Sequence, residues 1–355
     1  MRRALWVLAL LAATVGAQTT KTKNVVVIVI DGMRWQELFG GADSTLLTPR
    51  YGVTDTLGAR RRWLRATAED RRRIMMPFLW DTLAVRGAIW GAPGRGAMVR
   101  STNGLKFSYP GYQEILAGFP DPRIDKNDFG PNPNATVFEW LAAKPAYRGR
   151  VAAVATWGVF RAIFRTPQSG VPVYAGYEPR LPEPRDDAGR ELDAMYRTLP
   201  QFWGDNPLDA LAVRAAHEVI RRQKPRVLFL GLGENDEWAH AGRYGEYLDA
   251  AQRADRAIGE LWATMQTMKQ YRDKTTFIIV ADHGRGFGAE WTDHGRGVDG
   301  ADRIWWAMIG PDTPALGVAR AAEEIAQAQV AATVAWLLGE DYPRADPRAA
   351  LPLKP

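Results

Sequence analysis

The chain has no cysteine among its 355 residues. That excludes disulfides, a thiol nucleophile and any thiolate metal site, so metal chemistry here must rest on imidazole and carboxylate. Histidine is nearly as scarce, at four residues. Beyond the N-terminus no apolar run approaches the ~20 residues that a membrane-spanning helix needs. Internal repeats and low-complexity tracts are missing too. The basic run Arg60-Arg61-Arg62, Arg65 and Arg71-Arg72-Arg73 is broken by Glu69-Asp70 and has no accompanying stacking aromatics. It reads as a solvated helix face, and no nucleic-acid partner is expected. The net charge of +6 suits attraction of an anionic substrate.

What is present begins with a leader. Met1-Arg2-Arg3 is followed by apolar Ala4 to Val15 and the small residues Gly16-Ala17. That order is the pattern of a secretory signal peptide cut after Ala17, which predicts export to the periplasm or exterior, with no transmembrane anchor. Residues 18–355 are long enough for one large α/β domain or two small ones, and a single domain is expected.

Val25 to Ile30 is a β-branched run without polar alternation. Such a run predicts a strand buried on both faces, as in a parallel sheet. Comparable runs recur at Val151 to Ala155, Val227 to Leu230, Phe277 to Val280 and Ile304 to Ile309. Helical patterns lie between them: from Pro77 to about Val85, along Leu248 to Met265, and roughly from Val318 to Leu338 with Gly339 as its cap. Alternating strands and helices predict a doubly wound α/β sheet. Two segments break the rhythm. Residues 40–73 are polar and basic with helical tendency; residues 167–206 are rich in proline, glycine and charge, with no strand period. Both are expected to be insertions over one edge of the sheet.

Three of the four histidines stand close to acids, in Asp236-x-x-x-His240, Asp282-His283 and His294. Ligands of an open α/β sheet gather outside the carboxyl ends of its strands. Asp31 directly follows the first strand, and Asp282-His283 follows the strand ending at Val280-Ala281. Asp236 and His240, four apart, share a helical face. Each position has a plain alternative. Asp31 before Gly32 suits a turn, and Asp236 suits a helix N-cap. His217 has no acidic motif around it and reads as a structural helix residue. Together, the clustered residues point to divalent metal, zinc above all. Ser108, ahead of an apparent helix from Gln113 to Ala117, is either an N-cap or a nucleophile where a helix terminus favours an anion. Trp80, Trp262 and Trp336 fall in helical apolar patterns as core, whereas Trp157 and Trp238 lie near the metal edge and are candidates to shape a pocket.

These pieces resemble the alkaline phosphatase superfamily, in particular its type I phosphodiesterase and nucleotide pyrophosphatase branch. The matching motifs are Val29-Ile30-Asp31-Gly32-Met33-Arg34, Ser108-Tyr109-Pro110, Asp236-x-x-x-His240, Ala281-Asp282-His283-Gly284 and His294. They run in order from about residue 24 to 343. The resemblance implies two divalent ions, normally Zn2+. Asp236, His240 and His294 would hold one, and Asp31, Asp282, His283 and the Ser108 oxygen the other. It implies a phosphate-ester hydrolase in which Ser108 attacks phosphorus and a phosphoserine is then hydrolysed, with phosphodiesters favoured as substrates. It also implies an alkaline-phosphatase-like, mainly parallel sheet flanked by helices.

The branch often has threonine followed by Phe-Pro-Asn-His where this chain has Ser108-Tyr109-Pro110-Gly111-Tyr112. Sulfatases of the superfamily carry Cys or Ser-x-Pro-x-Arg there, and this chain lacks that arginine. Phosphomonoesterase activity is the alternative, ahead of sulfatase or phosphonate hydrolase. A metal-bound binding protein is the non-enzymatic one. In that branch an asparagine a little downstream contacts a substrate oxygen, which makes Asn127 a candidate substrate-binding residue; Lys106 is a second by adjacency and charge, and each has a surface-turn reading beside it.

Overall fold

The computed structural model describes residues 20–179, 181–183 and 186–343. The expected signal peptide, residues 1–17, lies outside them. The core is a sheet of eight strands: β1 (Asn24–Ile30), β2 (Ala88–Trp90), β4 (Val151–Ala155), β5 (Val173–Ala175), β6 (Val227–Leu232), β7 (Thr275–Val280), β9 (Trp306–Ile309) and β10 (Gly317–Val318). Their order across the sheet is β10-β2-β9-β7-β1-β6-β4-β5. A small second sheet joins β3 (Val99–Arg100), β8 (Arg303–Ile304) and β11 (Ile325–Ala326).

The long apolar runs became the centre. Every residue of β1, β4, β6 and β7 is buried, because helices cover both faces and a period-2 pattern would serve nothing. β1 pairs in parallel with β6 on one side and β7 on the other. The register sets Val29 beside both Gly231 and Val280, so the carboxyl ends of these three strands meet at one edge. β9 runs antiparallel to both β7 and β2. The result is the doubly wound, mainly parallel α/β sheet expected.

Several expectations need correction. Ile304 to Ile309 is not one strand. Trp305 is buried, its indole N–H donates to the Met33 carbonyl at 2.9 Å, and the chain changes sheets there. The helix expected from Val318 is confined to Gln329–Leu337. Val318 pairs with Ile89 and Ile325 with Val99, so tertiary pairing overrides an alanine-rich helical pattern. The Gln329 side chain then accepts from the Ala326 N–H at 2.8 Å, ahead of the helix. The 167–206 segment contributes edge strand β5, parallel to β4, and an amphipathic helix, Asp187–Thr198, that buries Leu192 and Tyr196. Asp236 is not an N-cap: its helix is Glu234–His240 with Gly233 as the cap, and Asp236 is the third residue of the first turn.

Elsewhere the helical readings hold. The helix from Tyr244 to Thr267 covers the predicted Leu248 to Met265 face. A wide-turn helix, Phe78–Leu83, follows Pro77 and runs into Ala84–Arg86. His217 is half-buried in the Asp209–Gln223 helix, away from any acidic motif. Trp80 and Trp262 are core, with Trp336 packed against it.

Candidate metal and nucleophile site

Asp31 is the first residue past β1, and Gly32 turns the chain with φ of 61°. A side chain there would put its Cβ 2.5 Å from Asp236 Oδ1, so only glycine lets the two acids approach. Asp282 is two residues past β7 and fully buried, and its Oδ1 accepts from the Gly32 N–H at 3.0 Å. Gln327 fixes the same turn from below, donating to the Ala281 and Asp282 carbonyls. Past β6, buried Asp209 anchors the start of the Glu234–His240 helix by accepting from the Gly233 and Glu234 N–H groups at 2.8 and 3.2 Å.

Ser108 is the first residue of a ten-residue helix, Ser108–Ala117, that is buried throughout. Gly111 lies about one turn into this helix. A Cβ on it would lie 2.5 Å from the Asp282 carbonyl, so the missing side chain brings the serine helix against the β7 turn. In the next position Tyr112 donates its hydroxyl to Asp31 Oδ2 at 2.8 Å. Buried Glu114, further along, accepts from the Thr102 and Asn103 N–H groups at 3.0 Å and ties down the loop that leads to Ser108.

The predicted residues converge. His283 Nε2 lies 3.4 Å from Ser108 Oγ, 3.3 Å from Asp31 Oδ1, 3.5 Å from Asp282 Oδ2 and 3.6 Å from Asp236 Oδ1. Its Nδ1 faces the Gly284 carbonyl at 2.9 Å. In the neutral ring that contact places the proton on Nδ1 and turns the Nε2 lone pair to the acids, the tautomer a metal ligand needs. His294 repeats the device, with Nδ1 at 3.1 Å from the Lys106 carbonyl. Its Nε2 is 3.0 Å from His240 Nε2, which is itself 3.1 Å from Asp236 Oδ2.

This arrangement fits divalent cations. Asp31 Oδ1 and Asp282 Oδ2 are buried oxygens with no hydrogen-bond donor, a costly state unless a cation satisfies them. Two imidazole nitrogens facing each other likewise lack a shared acceptor. Two compact groups are present, Asp31 with Asp282 and His283, and Asp236 with His283 and His294. The electrostatics agree. Burial disfavours charge on His283, but Asp282, Asp31 and Asp236 outweigh it and raise its pKa to about 9. Burial, reinforced by the charge of His283, lowers His294 to about 2, so it stays a neutral donor. Asp282 is held well above the carboxylate range by burial and by neighbouring Asp31.

Sequence reasoning missed Arg285. It is fully buried and donates to Asp236 through both the side-chain carboxylate and, at 3.1 Å, the main-chain carbonyl; it also reaches the Thr292 carbonyl. Burial opposes ionisation of Asp236, yet Arg285 and then His240 draw its pKa well below the usual value. The only signal in the sequence was an arginine two residues after His283.

The two low-ranking substrate candidates sit at the rim. Asn127 Oδ1 accepts from the Tyr109 N–H at 3.0 Å, one residue past Ser108. Lys106 adopts φ of 58° and donates its ammonium to the Val298 carbonyl at 3.1 Å. Trp238, on the metal-site helix, meets Trp203 edge-on at 4.8 Å, and Trp157 meets Phe160 at 6.3 Å.

Among solved structures, the chain is similar to the alkaline phosphatase PafA, with 10% identity and a TM-score of 0.56 over 90% of this chain and 96% of that one. It is also similar to the lipoteichoic acid synthase LtaP from Listeria monocytogenes, with 13% identity and a TM-score of 0.54 over 90% of this chain and 73% of that one. At these identities the likeness concerns the fold, which is that of the alkaline phosphatase superfamily. A curated relative, GPI ethanolamine phosphate transferase 1 from Emericella nidulans, is 32% identical over 146 residues, covering 34% of this chain. The match spans only 15% of that relative's length. Residues 97–294, more than half of the chain, match the type I phosphodiesterase / nucleotide pyrophosphatase family. The stretch contains Ser108, Asp236, His240, Asp282, His283 and His294, and the chain belongs to this family of phosphate-ester hydrolases.

Proposed function

We propose that this protein is an exported, two-metal phosphodiesterase that works through a phosphoserine at Ser108. The observation that carries the reading is the convergence of Ser108 Oγ, Asp31 Oδ1 and Asp282 Oδ2 on His283 Nε2, all within 3.5 Å of it. Asp31, Asp282, His283 and the Ser108 oxygen would hold one divalent ion; Asp236, His240 and His294 would hold the other. Zinc suits this mixture of imidazole and carboxylate. When bound, such a pair lowers the pKa of coordinated oxygen and stabilises charge on the attacking and leaving oxygens.

The residues of the chain do the rest. The Ser108 helix directs its positive end at the phosphoryl group. Ser108 Oγ forms a bond to phosphorus as the leaving alcohol departs, and water then cleaves the phosphoserine. Two in-line displacements give net retention at phosphorus. Asn127 holds the first turn of the helix through the Tyr109 N–H and offers its amide nitrogen to a phosphoryl oxygen. Residues 18–355 act as one domain, with 40–73 and 167–206 flanking the entrance.

The test is Ser108→Ala in protein reconstituted with zinc. Turnover of bis-p-nitrophenyl phosphate should fall by on the order of 10³-fold or more while two equivalents of metal remain bound. Wild-type rates in the variant would remove Ser108 as nucleophile. Faster cleavage of p-nitrophenyl phosphate than of the diester by the wild type would make the enzyme a monoesterase.

A further inference from the structure

Residues 50–73 hold eight arginines against three acids, most of the surplus in a chain of net charge +6. Part of that charge is paired locally. Arg62 meets Asp249, and Arg73 meets Glu69 and Asp81. Arg71 caps the carbonyls of Gly40 and Arg65. Arg72 differs. It is half-buried, its guanidinium lies 3.8 Å from the centre of the Trp80 ring, and among the described residues no carboxylate pairs with it.

Arg72 lines a cleft of about 420 Å³ together with Trp35, Gln36, Phe39, Pro93 and Arg95. Arg95, in the loop after β2, also has no acidic partner among the described residues. β2 runs parallel to β7 and β1, since β9 is antiparallel to both β2 and β7. The cleft therefore opens on the sheet edge that carries the metal-site residues. Trp35 stands four residues after Asp31, and its ring meets Phe287 edge-on at 6.3 Å, two residues beyond Arg285. An apolar wall of Trp35, Phe39 and Pro93 with two guanidinium groups that lack a carboxylate partner among the described residues, Arg72 donating only to the Phe39 carbonyl at 3.5 Å, suits an amphipathic anion.

We infer that this cleft is a subsite for one alcohol arm of the substrate, an arm with an apolar body ending in a carboxylate or second phosphate. The inference rests on the proposed diester chemistry at Ser108 for the identity of the occupant. Two measurements separate the claims. The first is a fluorescence titration of the whole protein with naphthalene-1-sulfonate, an aromatic anion that is a poor metal ligand. Saturable binding is expected, weakened about tenfold or more in Arg95→Gln and further in Arg72→Gln/Arg95→Gln, and retained in Ser108→Ala. Equal affinity in wild type and Arg95→Gln, an exposed position whose change leaves the core intact, overturns the subsite. The second compares two p-nitrophenyl phosphodiesters with the same phenylpropyl arm, one bearing a para-carboxylate. Wild type should prefer the carboxylate, and the ratio of the two kcat/KM values should fall about tenfold or more in Arg95→Gln. An unchanged ratio refutes the inference. Failure of wild type to cleave either diester refutes the Ser108 chemistry, and the sulfonate titration then decides the cleft alone.

Discussion

Arg285 grips Asp236 twice, through the carboxylate and through the main-chain carbonyl, and it does so with no surface exposed to solvent. Asp236, a partly buried acid and a proposed cation ligand, thus has a resident positive charge behind it. Removing one partner of a buried pair costs about 3–5 kcal/mol because the other is left uncompensated. A bound divalent ion supplies that compensation from the opposite side. Arg285→Met should therefore lower Tm strongly in chelator-treated protein and much less in zinc-saturated protein. Equal losses in the two states, measured by scanning calorimetry, would show that the guanidinium does not serve the charge of Asp236.

Tyr112 touches the site through one hydroxyl, on Asp31 Oδ2. Partners that orient a metal ligand are worth roughly 10–100-fold in metal affinity or activity. Tyr112→Phe keeps the ring in its packing against Phe160 and Phe229 and removes only the hydrogen bond. Zinc affinity by chelator competition should drop within that range, with little change in Tm of the metal-free protein. Unaltered zinc affinity would assign the hydroxyl a packing role alone.

Glu114 acts one step further back. Its carboxylate takes the Thr102 and Asn103 N–H groups, the Thr102 hydroxyl and the Asn103 amide. Each buried donor left unmatched costs about 1–3 kcal/mol. Glu114→Ala should lower both Tm and kcat, since the freed loop runs into Ser108, and Glu114→Gln should recover part of each. A kcat equal to wild type in Glu114→Ala would separate the loop from catalysis.

Asp255 gives a pH dependence of its own, outside the candidate metal site. It lies within the Tyr244–Thr267 helix, is almost wholly buried, and accepts from the Phe78 and Leu79 N–H groups at 2.8 and 2.9 Å. Burial pushes its carboxyl up to about 7, against the pull of those two donors. An unfolded aspartate titrates near 3.9. Between about pH 4 and 7 the folded chain keeps a proton that the unfolded chain has released, so stability falls as pH rises. The contribution is complete below about pH 4 and is lost as pH passes 7; its size is on the order of 4 kcal/mol. Urea unfolding at pH 5, 6, 7 and 8 should show a steeper decline for wild type than for Asp255→Asn. Parallel profiles would show that the carboxyl titrates normally.

Much of this was legible in the sequence, for identifiable reasons. β1, β4, β6 and β7 declared themselves because a strand covered on both faces has no polar position to fill. The metal-site candidates stood out because histidine is rare and each lay at or beyond a strand end. Arg285, Glu114 and Gln327 were not legible. Each is a polar residue whose meaning lies in being buried, and burial is decided by packing between distant segments. β10 and β11 are two residues long, too short to show a period, and the alanine-rich sequence around them favours a helix until an edge strand offers pairing. β5 was hidden by the prolines and glycines on either side.

The central place of β1 has a consequence for biogenesis. It is synthesised before both of its neighbours, β6 and β7, which are residues 227–232 and 275–280. Asp31 must wait for a turn some 250 residues downstream before the Gly32 N–H meets Asp282. Any nascent or truncated chain ending before His294 lacks the full set of donors, and its most apolar strand has no complete seat. Long-range pairing of this kind is slow relative to local helix formation. The edge that gathers Asp31, Asp236, Asp282 and His283 is therefore a late product of assembly and not its template.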